Sequence, residues 1–259
     1  MAFRPDTRTY PAAAGAAQAG ALDAGLRTYM LHVYNWMTSG LVLTGIVAYL
    51  VANVPAVREA FYQPMRTQGG GIVLHPTLLG YAAMFAPLGF VLVLSMGVNR
   101  LSRQSAQALY WAFCAAMGAS LANIFWAYTG DSITRVFFIT AGTFAVMSAW
   151  GYTTKTDLSR FGSFLMMGLI GVIIASVVNI FVGSSQLQFL VSIVGVLVFT
   201  GLTAFDTQRI KASYLQYSYA EGSDVAAKRS VYDALSLYLN FINLFMLLLQ
   251  LTGSRSNNN

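Results

Sequence analysis

Long intervals without a charged side chain constrain this chain more than any other feature. Asp, Glu, Lys and Arg are missing from five intervals: 28–57, 67–99, 104–130, 136–154 and 234–254. Each interval holds about 20 apolar residues, which as a helix rising 1.5 Å per residue cross a hydrocarbon core of roughly 30 Å. A sixth interval, 161–205, is interrupted by a polar stretch at 182–186 (VGSSQ) and is long enough for two crossings. The sequence therefore predicts seven membrane spans.

The composition supports a membrane protein, because 56% of the residues are hydrophobic and only 9% are charged, against about 25% charged in soluble domains. In lipid the backbone must satisfy its own hydrogen bonds, so continuous apolar runs predict helices. The alternating ten-residue segments of a membrane β-barrel are absent from the sequence. We predict an all-α integral membrane protein, with seven spans near 29–53, 77–98, 105–128, 133–154, 161–182, 187–208 and 231–252.

The basic residues predict the orientation. With the amino terminus inside, eleven of them fall on the inner side: Arg4, Arg8, Arg27, Arg100, Arg103, Lys155, Arg160, Arg209, Lys211, Lys228 and Arg229. Four fall on the outer side: Arg58, Arg66, Arg135 and Arg255. The positive-inside rule then favours an inside amino terminus and an outside carboxyl terminus. The same rule explains the net charge of +6 without a nucleic-acid partner.

Three regions follow from these assignments. Residues 1–27 are Ala/Gly-rich and are expected to form a cytoplasmic tail that is disordered or loosely helical. Residues 28–253 form the seven-helix transmembrane domain, and 254–259 a disordered end.

Polar residues inside the last two spans mark the candidate site. An ionisable group within a span is a functional hypothesis by default, because its burial is expensive, and Asp206 is the acidic residue set clearly within one. The sixth span has a narrow, partly polar stripe at helical spacing that ends in the carboxylate: Ser192, Gly195, Phe199, Thr203 and Asp206. The seventh has another: Asp233, Ser236, Asn240, Asn243, Leu247 and Gln250. We expect the stripes to face each other, either lining a water-filled path or bonding the helices together.

Other chemistry finds little support in the sequence. His32 and His75 are lone histidines without metal-ligand spacing, and no nucleophile elbow, phosphate loop or dinucleotide fingerprint stands in a usable context. An intramembrane hydrolase would need a Ser–His, Asp–Asp or metal constellation at membrane depth. We therefore expect no enzymatic activity and no cofactor.

Four motifs, in order along the chain, resemble the Bax inhibitor family, also called the transmembrane BAX inhibitor motif family, and its bacterial YccA-like branch. The motifs are FITAGTFAVMSAWGYTTKTDL (138–158), GLIGVIIASVVN (168–179), GLTAFDTQRIK (201–211) and ALSLYLNFINLFMLLL (234–249). The resemblance implies a bacterial inner-membrane protein in which six helices surround a central seventh. It also implies a pH-sensitive calcium leak controlled by paired aspartates on the sixth and seventh helices.

Asp206 matches the first aspartate of that pair, but the second position is Asn240, in LYLNFIN where the family commonly has LYLDFIN. Two close carboxylates share a proton near neutral pH because both cannot easily ionise. An Asp–Asn pair lacks this repulsion, which leaves the family's pH switch an open question for this chain. Calcium would meet one negative charge, so Asp206 is expected to be a weak ligand.

Three further residues complete the candidate ion path or gate. Asn243 continues the stripe beyond Asn240. Asp233 lies two turns before Asn240 on the same face, and either substitutes for the missing carboxylate or is an exposed helix-start residue favoured by the helix dipole. The family's closed state involves a basic residue near the inner end of the second helix, for which Arg100 is the nearest candidate, so the resemblance predicts an Arg100–Asp206 pair.

Two functions remain open at this point. The first is a calcium leak channel gated at the inner ends of the sixth and seventh helices, with the bilayer and calcium or protons as partners. The alternative, also implied by the resemblance, is a membrane regulator that binds another membrane protein such as a membrane-bound AAA protease, with the amino-terminal tail as the contact.

Overall fold

A computed structural model of the chain describes residues 10–66, 72–97, 100–217 and 223–256. These residues form helices and one short hairpin. In chain order the elements are α1 Tyr10–Asn53, α2 Pro55–Phe61, β1 Tyr62–Arg66, β2 Ile72–Pro76, α3 Leu78–Gly97, α4 Arg103–Leu121, α5 Ile124–Ala127, α6 Gly130–Thr153, α7 Ser159–Val182, α8 Ser185–Tyr217 and α9 Ser223–Thr252. Strands β1 and β2 pair antiparallel between the first two long helices.

Seven helical stretches in the described residues are long and apolar enough to cross a membrane, which confirms the seven predicted spans. They are Leu22–Asn53, Leu78–Gly97, Arg103–Ala127, Gly130–Thr153, Ser159–Val182, Ser185–Tyr217 and Asp224–Thr252. The last two helices extend beyond the predicted spans. Helix α8 continues past residue 208 to Tyr217, and α9 begins at Ser223 rather than near 231. Hydropathy ends a predicted span at the first charges, whereas the helical backbone continues beyond them.

The described residues include part of each predicted terminal segment. Helix α1 begins at Tyr10, inside the segment predicted to be a disordered or loosely helical tail. Near the other end, Thr129 N donates to Ser254 O at 3.1 Å and Ser256 N donates to Ala127 O at 3.0 Å. Residues 254–256 are therefore held against the start of α6, while 1–9 and 257–259 lie outside the described residues.

The main hydrophobic core lies around α9. This helix packs against α1, α4, α6 and α8, and its span is 56% buried, the largest share among the seven. Leu237, Tyr238, Leu244 and Leu249 on α9 are fully enclosed. The span of α7 is only 6% buried and its exposed apolar side chains suit contact with lipid, so α7 lies at the periphery.

Helices α6 and α8 approach closely at Gly151. A Cβ built on this glycine would lie 2.2 Å from the backbone oxygen of Ala204, far inside van der Waals contact. Small residues permit such close approach between membrane helices. The contact fixes α8 two residues before Asp206, the carboxylate that the sequence singles out.

Replacing Gly151 with alanine should therefore destabilise the bundle. We expect Gly151→Ala to lower the free energy of unfolding by about 1–3 kcal/mol, because the backbone of α8 must move to admit the methyl group. Gly142→Ala on the same helix is the matched control, since a Cβ there meets no atom within 4 Å. Thermal unfolding in detergent measures both variants, and equal melting temperatures would contradict the close packing of α6 on α8.

Candidate functional site

Asp206 lies buried at the interface between α8 and α9, with a partner for each carboxylate oxygen. Asn240 Nδ2 donates to Asp206 Oδ2 at 2.7 Å, and Arg209 Nη2 lies 3.0 Å from Asp206 Oδ1. Asp206 and Asn240 are 7% and 5% exposed. The structure thus brings together the two residues that the resemblance relates to the family's aspartate pair.

Arg209 is the cation of this site, and the sequence analysis missed it. It lies one turn after Asp206 on α8, its side chain is 49% exposed, and its Nη2 also donates to Ser236 Oγ on α9 at 3.3 Å. Because hydropathy ended the span at 208, Arg209 was counted only as an inner charge. The spacing of three residues from Asp206 was the available signal, since helical residues three apart are neighbours.

The predicted Arg100–Asp206 pair is not formed. Arg100 lies in the turn after α3, is exposed, and makes no ion pair within the described part of the chain. The physical reason is proximity. Arg209 is on the same helix as Asp206 and reaches it without any loop having to be ordered.

Asp233 is not a helix-start residue, because α9 begins ten residues earlier at Ser223. Its Oδ2 accepts a hydrogen bond from Tyr29 OH on α1 at 2.6 Å. The same carboxylate lies within electrostatic range of Arg209, Arg229 and Asp206. A second acidic group therefore accompanies Asp206 at this end of α8 and α9, separate from the hydrogen bond to Asn240.

The two polar stripes meet along the antiparallel helices α8 and α9. Besides the Asp206–Asn240 and Arg209–Ser236 bonds, Ser192 Oγ donates to Gln250 Oε1 at 3.3 Å near the opposite ends of the helices. A single register therefore brings the two stripes together near both ends of the helices.

Asn243 departs from this pairing. Its Nδ2 donates to Leu239 O of its own helix at 2.8 Å. It lines a cavity of about 560 Å³ between α7, α8 and α9, whose other polar residues are Ser176, Asn179, Gln188 and Gln250. Asn243 thus lines a partly polar cavity and makes no hydrogen bond to Asp206.

A second cavity, of about 680 Å³, lies at the other end of α8 and includes Arg209 in its wall. Lys155, Asp157, Gln208 and Ser213 also line it. Ser159 N donates to Asp157 Oδ1 at 2.9 Å, and this bond lowers the pKa of the Asp157 carboxyl. Asp157 therefore remains negatively charged to a lower pH than a free aspartate, in a cavity wall that also contains Lys155 and Arg209.

The interface between these cavities is tightly packed. Thr203 and Leu244 are fully buried, and Leu202 is 3% exposed. Asp206 and Asn240 are part of this packed section, while Arg209 lies at its edge on the second cavity.

A chain of hydroxyl groups links α1, α6 and α8 beside the site. Thr207 Oγ1 donates to Thr203 O at 2.8 Å, so Ser148 donates to Thr207 at 2.9 Å and Tyr34 OH in turn donates to Ser148. Each hydroxyl has a single proton, which fixes this direction. The chain ends on the residue next to Asp206 and was not foreseen from the sequence.

The described residues near the site offer few side-chain ligands for a tightly bound metal ion. No three His, Cys, Asp or Glu side chains of the described residues are grouped to hold an ion. His32 Nδ1 lies 3.0 Å from Thr28 O on its own helix. A divalent cation at Asp206 would meet one carboxylate, an amide and a competing guanidinium, which is a weak ligand set for a hard cation.

The chain has seven helices long and apolar enough to span a membrane, and a buried carboxylate at the interface of two of them. These features define a multi-pass helical membrane protein with an ionisable group at a helix interface. The sequence profile described as "Inhibitor of apoptosis-promoting Bax1" matches residues 26–257. The chain belongs to the Bax inhibitor family.

The comparisons with individual proteins agree. The chain is 46% identical over 234 residues to a Caulobacter vibrioides protein, covering 90% of both chains. It is 44% identical over 232 residues to the inner membrane protein YbhL of Escherichia coli, covering 90% of this chain and 94% of YbhL. Together with the seven spans, this similarity makes the chain a multi-pass protein of the bacterial inner membrane.

The Tyr29–Asp233 bond can be tested against a second tyrosine. We expect Tyr29→Phe to lower the free energy of unfolding by about 1.5–3 kcal/mol, because hydrogen bonds to charged groups contribute this much. Tyr232→Phe is the control, since the Tyr232 hydroxyl is buried without a hydrogen-bond partner among the described residues, and its loss should be neutral or stabilising. Equal losses of thermal stability in detergent would contradict the Asp233 interaction.

Proposed function

We propose that this protein is a calcium leak channel whose path follows the α8–α9 interface, and that Asp206 is the cation site within it. The observation that carries the proposal is a buried carboxylate held by a half-exposed arginine of the same helix. A carboxylate at membrane depth is costly, and hydrogen bonding between helices needs only amides and hydroxyls. The charge at Asp206 is better explained by a passing cation.

Arg209 acts as the gate in this proposal. Its guanidinium neutralises Asp206 and takes the place that a cation would occupy. Because its side chain is half exposed to the second cavity, it can turn towards water without disturbing the core. Opening then requires that the Arg209–Asp206 and Arg209–Ser236 contacts break together.

The two cavities serve as the mouths of the path. The cavity at Asn243 supplies amide and hydroxyl oxygens, and the cavity at Arg209 contains Asp157, which remains ionised. The packed section around Thr203, Asp206 and Leu244 is the closed barrier between them. This geometry supports a closed conformation.

The arrangement in the membrane is part of the same proposal. The excess of basic residues on one side favours an inside amino terminus, so the Arg209 cavity opens to the cytoplasm. The burial of α9 and its contacts with four long helices support a central seventh helix within the other six. The protein acts without catalysis or a bound cofactor.

The regulator alternative, a membrane protein that binds another such as an AAA protease, stays a prediction. Its expected contact surface lies in the amino-terminal segment, where side chains are described only from Leu22 onward. No contact described above favours it over the leak channel.

If Arg209 is the gate, removing its charge and removing the charge of Asp206 should have opposite effects on the Ca²⁺ leak. In calcium-loaded liposomes, we expect Arg209→Gln to raise the Ca²⁺ leak several-fold, because Asp206 is freed. We expect Asp206→Asn to reduce it to the level of empty vesicles. Arg103→Gln is the matched control, because Arg103 is also 49% exposed and pairs with Asp224, far from Asp206 along the chain.

The control should leave the leak unchanged. Equal Ca²⁺ flux from vesicles with the native protein and from empty vesicles would contradict the proposal of a leak channel. Equal effects of Arg209→Gln and Arg103→Gln on the Ca²⁺ leak would contradict the proposed role of Arg209 as the gate.

A second test addresses pH. Asn240→Asp places two carboxylates at the 2.7 Å contact between positions 206 and 240, where they would share a proton. We expect the variant to gain a Ca²⁺ leak that varies across pH 6–8, whereas the native chain, with an amide that cannot titrate, varies less. Identical pH profiles would show that position 240 does not control proton sensitivity.

A further inference from the structure

A groove of about 580 Å³ separates α1 from α6, away from the α8–α9 interface. Its walls are apolar for most of their length. They are formed by Met30, Leu31, Met37, Phe144, Ala145 and Ala149, with Arg27, Tyr152 and Thr153 at one end. The groove follows α1 from Arg27 to Met37 for about 15 Å, of which the apolar part from Met30 to Met37 is about 10 Å. The groove is thus a narrow apolar slot with one polar end.

The polar end of the groove has a cationic side chain that no described acidic residue neutralises. The guanidinium of Arg27 makes no ion pair or hydrogen bond with another described residue. Nearby, Lys211 Nζ donates to Tyr152 O at 2.8 Å and lies 4.8 Å from the centre of the Tyr152 ring. No Asp or Glu is among the residues that line the groove. This end of the slot is therefore suited to an anion.

The middle of the slot offers an occupant no free hydroxyl proton. Tyr34 and Ser148 are the hydroxyl-bearing residues in its middle, and both are engaged in the chain that ends at Thr207. A hydrated or peptide occupant would lose hydrogen bonds there without replacement. A hydrocarbon chain makes no hydrogen bonds in water, so it would lose none on entering the slot.

We propose that this groove is a binding site for an anionic phospholipid. One acyl chain lies in the slot between α1 and α6, and the phosphate of the headgroup contacts Arg27, with Lys211 adding positive potential. Arg27 lies at the same end of the bundle as Thr153, the last residue of α6. At that depth a lipid headgroup reaches Arg27 while its chain follows the slot toward Met37. The groove lies outside the proposed calcium path, although Tyr34 and Ser148 in its wall belong to the hydroxyl chain that ends at Thr207.

Native mass spectrometry of the full chain tests the site. The detergent-solubilised protein is mixed with equal amounts of phosphatidylglycerol and phosphatidylcholine, and the adducts of each are counted. We expect phosphatidylglycerol to be preferred about fivefold, the effect of one basic residue at a membrane surface. Arg27→Gln should remove this preference. Arg135→Gln, an exposed arginine of α6 outside the groove, should retain it.

A second variant tests the slot rather than the charge. Ala149 lines the groove and is exposed, so Ala149→Trp should fill the space, leave the core intact and lower the phosphatidylglycerol adduct several-fold. Equal preference in the Arg27→Gln and Arg135→Gln variants would overturn the proposal. So would an undiminished phosphatidylglycerol adduct in Ala149→Trp.

Discussion

Removing a carboxylate from water costs several kcal/mol unless the group is both paired and hydrogen-bonded. At the α8–α9 interface Asp206 meets both requirements, with Arg209 on one oxygen and Asn240 on the other. Each partner depends on helix geometry. Arg209 is in reach because it lies one turn along α8, and Asn240 because α9 runs antiparallel in a register that also joins Ser192 to Gln250.

The rest of the bundle holds this interface in place. Gly151 lets α6 approach the backbone of α8 just before Asp206, and the hydroxyl chain from Tyr34 fixes the neighbouring Thr207. On the other side, Tyr29 ties α1 to Asp233 of α9. Two helices, α1 and α6, thus restrain the two that carry the site. A shift in either of them would change the distance between Asp206 and Asn240.

The sequence predicts the spans well because the cost of charge in lipid leaves long charge-free intervals. It also predicts that the stripes of Asp206 and Asn240 face each other, since polar faces avoid lipid. It fails where the membrane signal ends but the helix continues. For that reason Arg209 falls outside the predicted span and Asp233 falls at a possible helix start. The Arg100–Asp206 pair, by contrast, is an expectation of the family resemblance, which contains no information on the nearer Arg209. Contacts between distant helices, such as Tyr29 with Asp233, have no local pattern from which to predict them.

Covalent attachment of Arg209 to the helix that carries its partner has a kinetic consequence for the proposed channel. A blocker joined to its site by three residues has an effective concentration that dilution cannot lower. A calcium ion therefore competes with a tethered cation, which raises the calcium concentration needed for half-occupancy of Asp206. Because one ion competes at one site, the flux through such a channel would increase gradually as calcium accumulates.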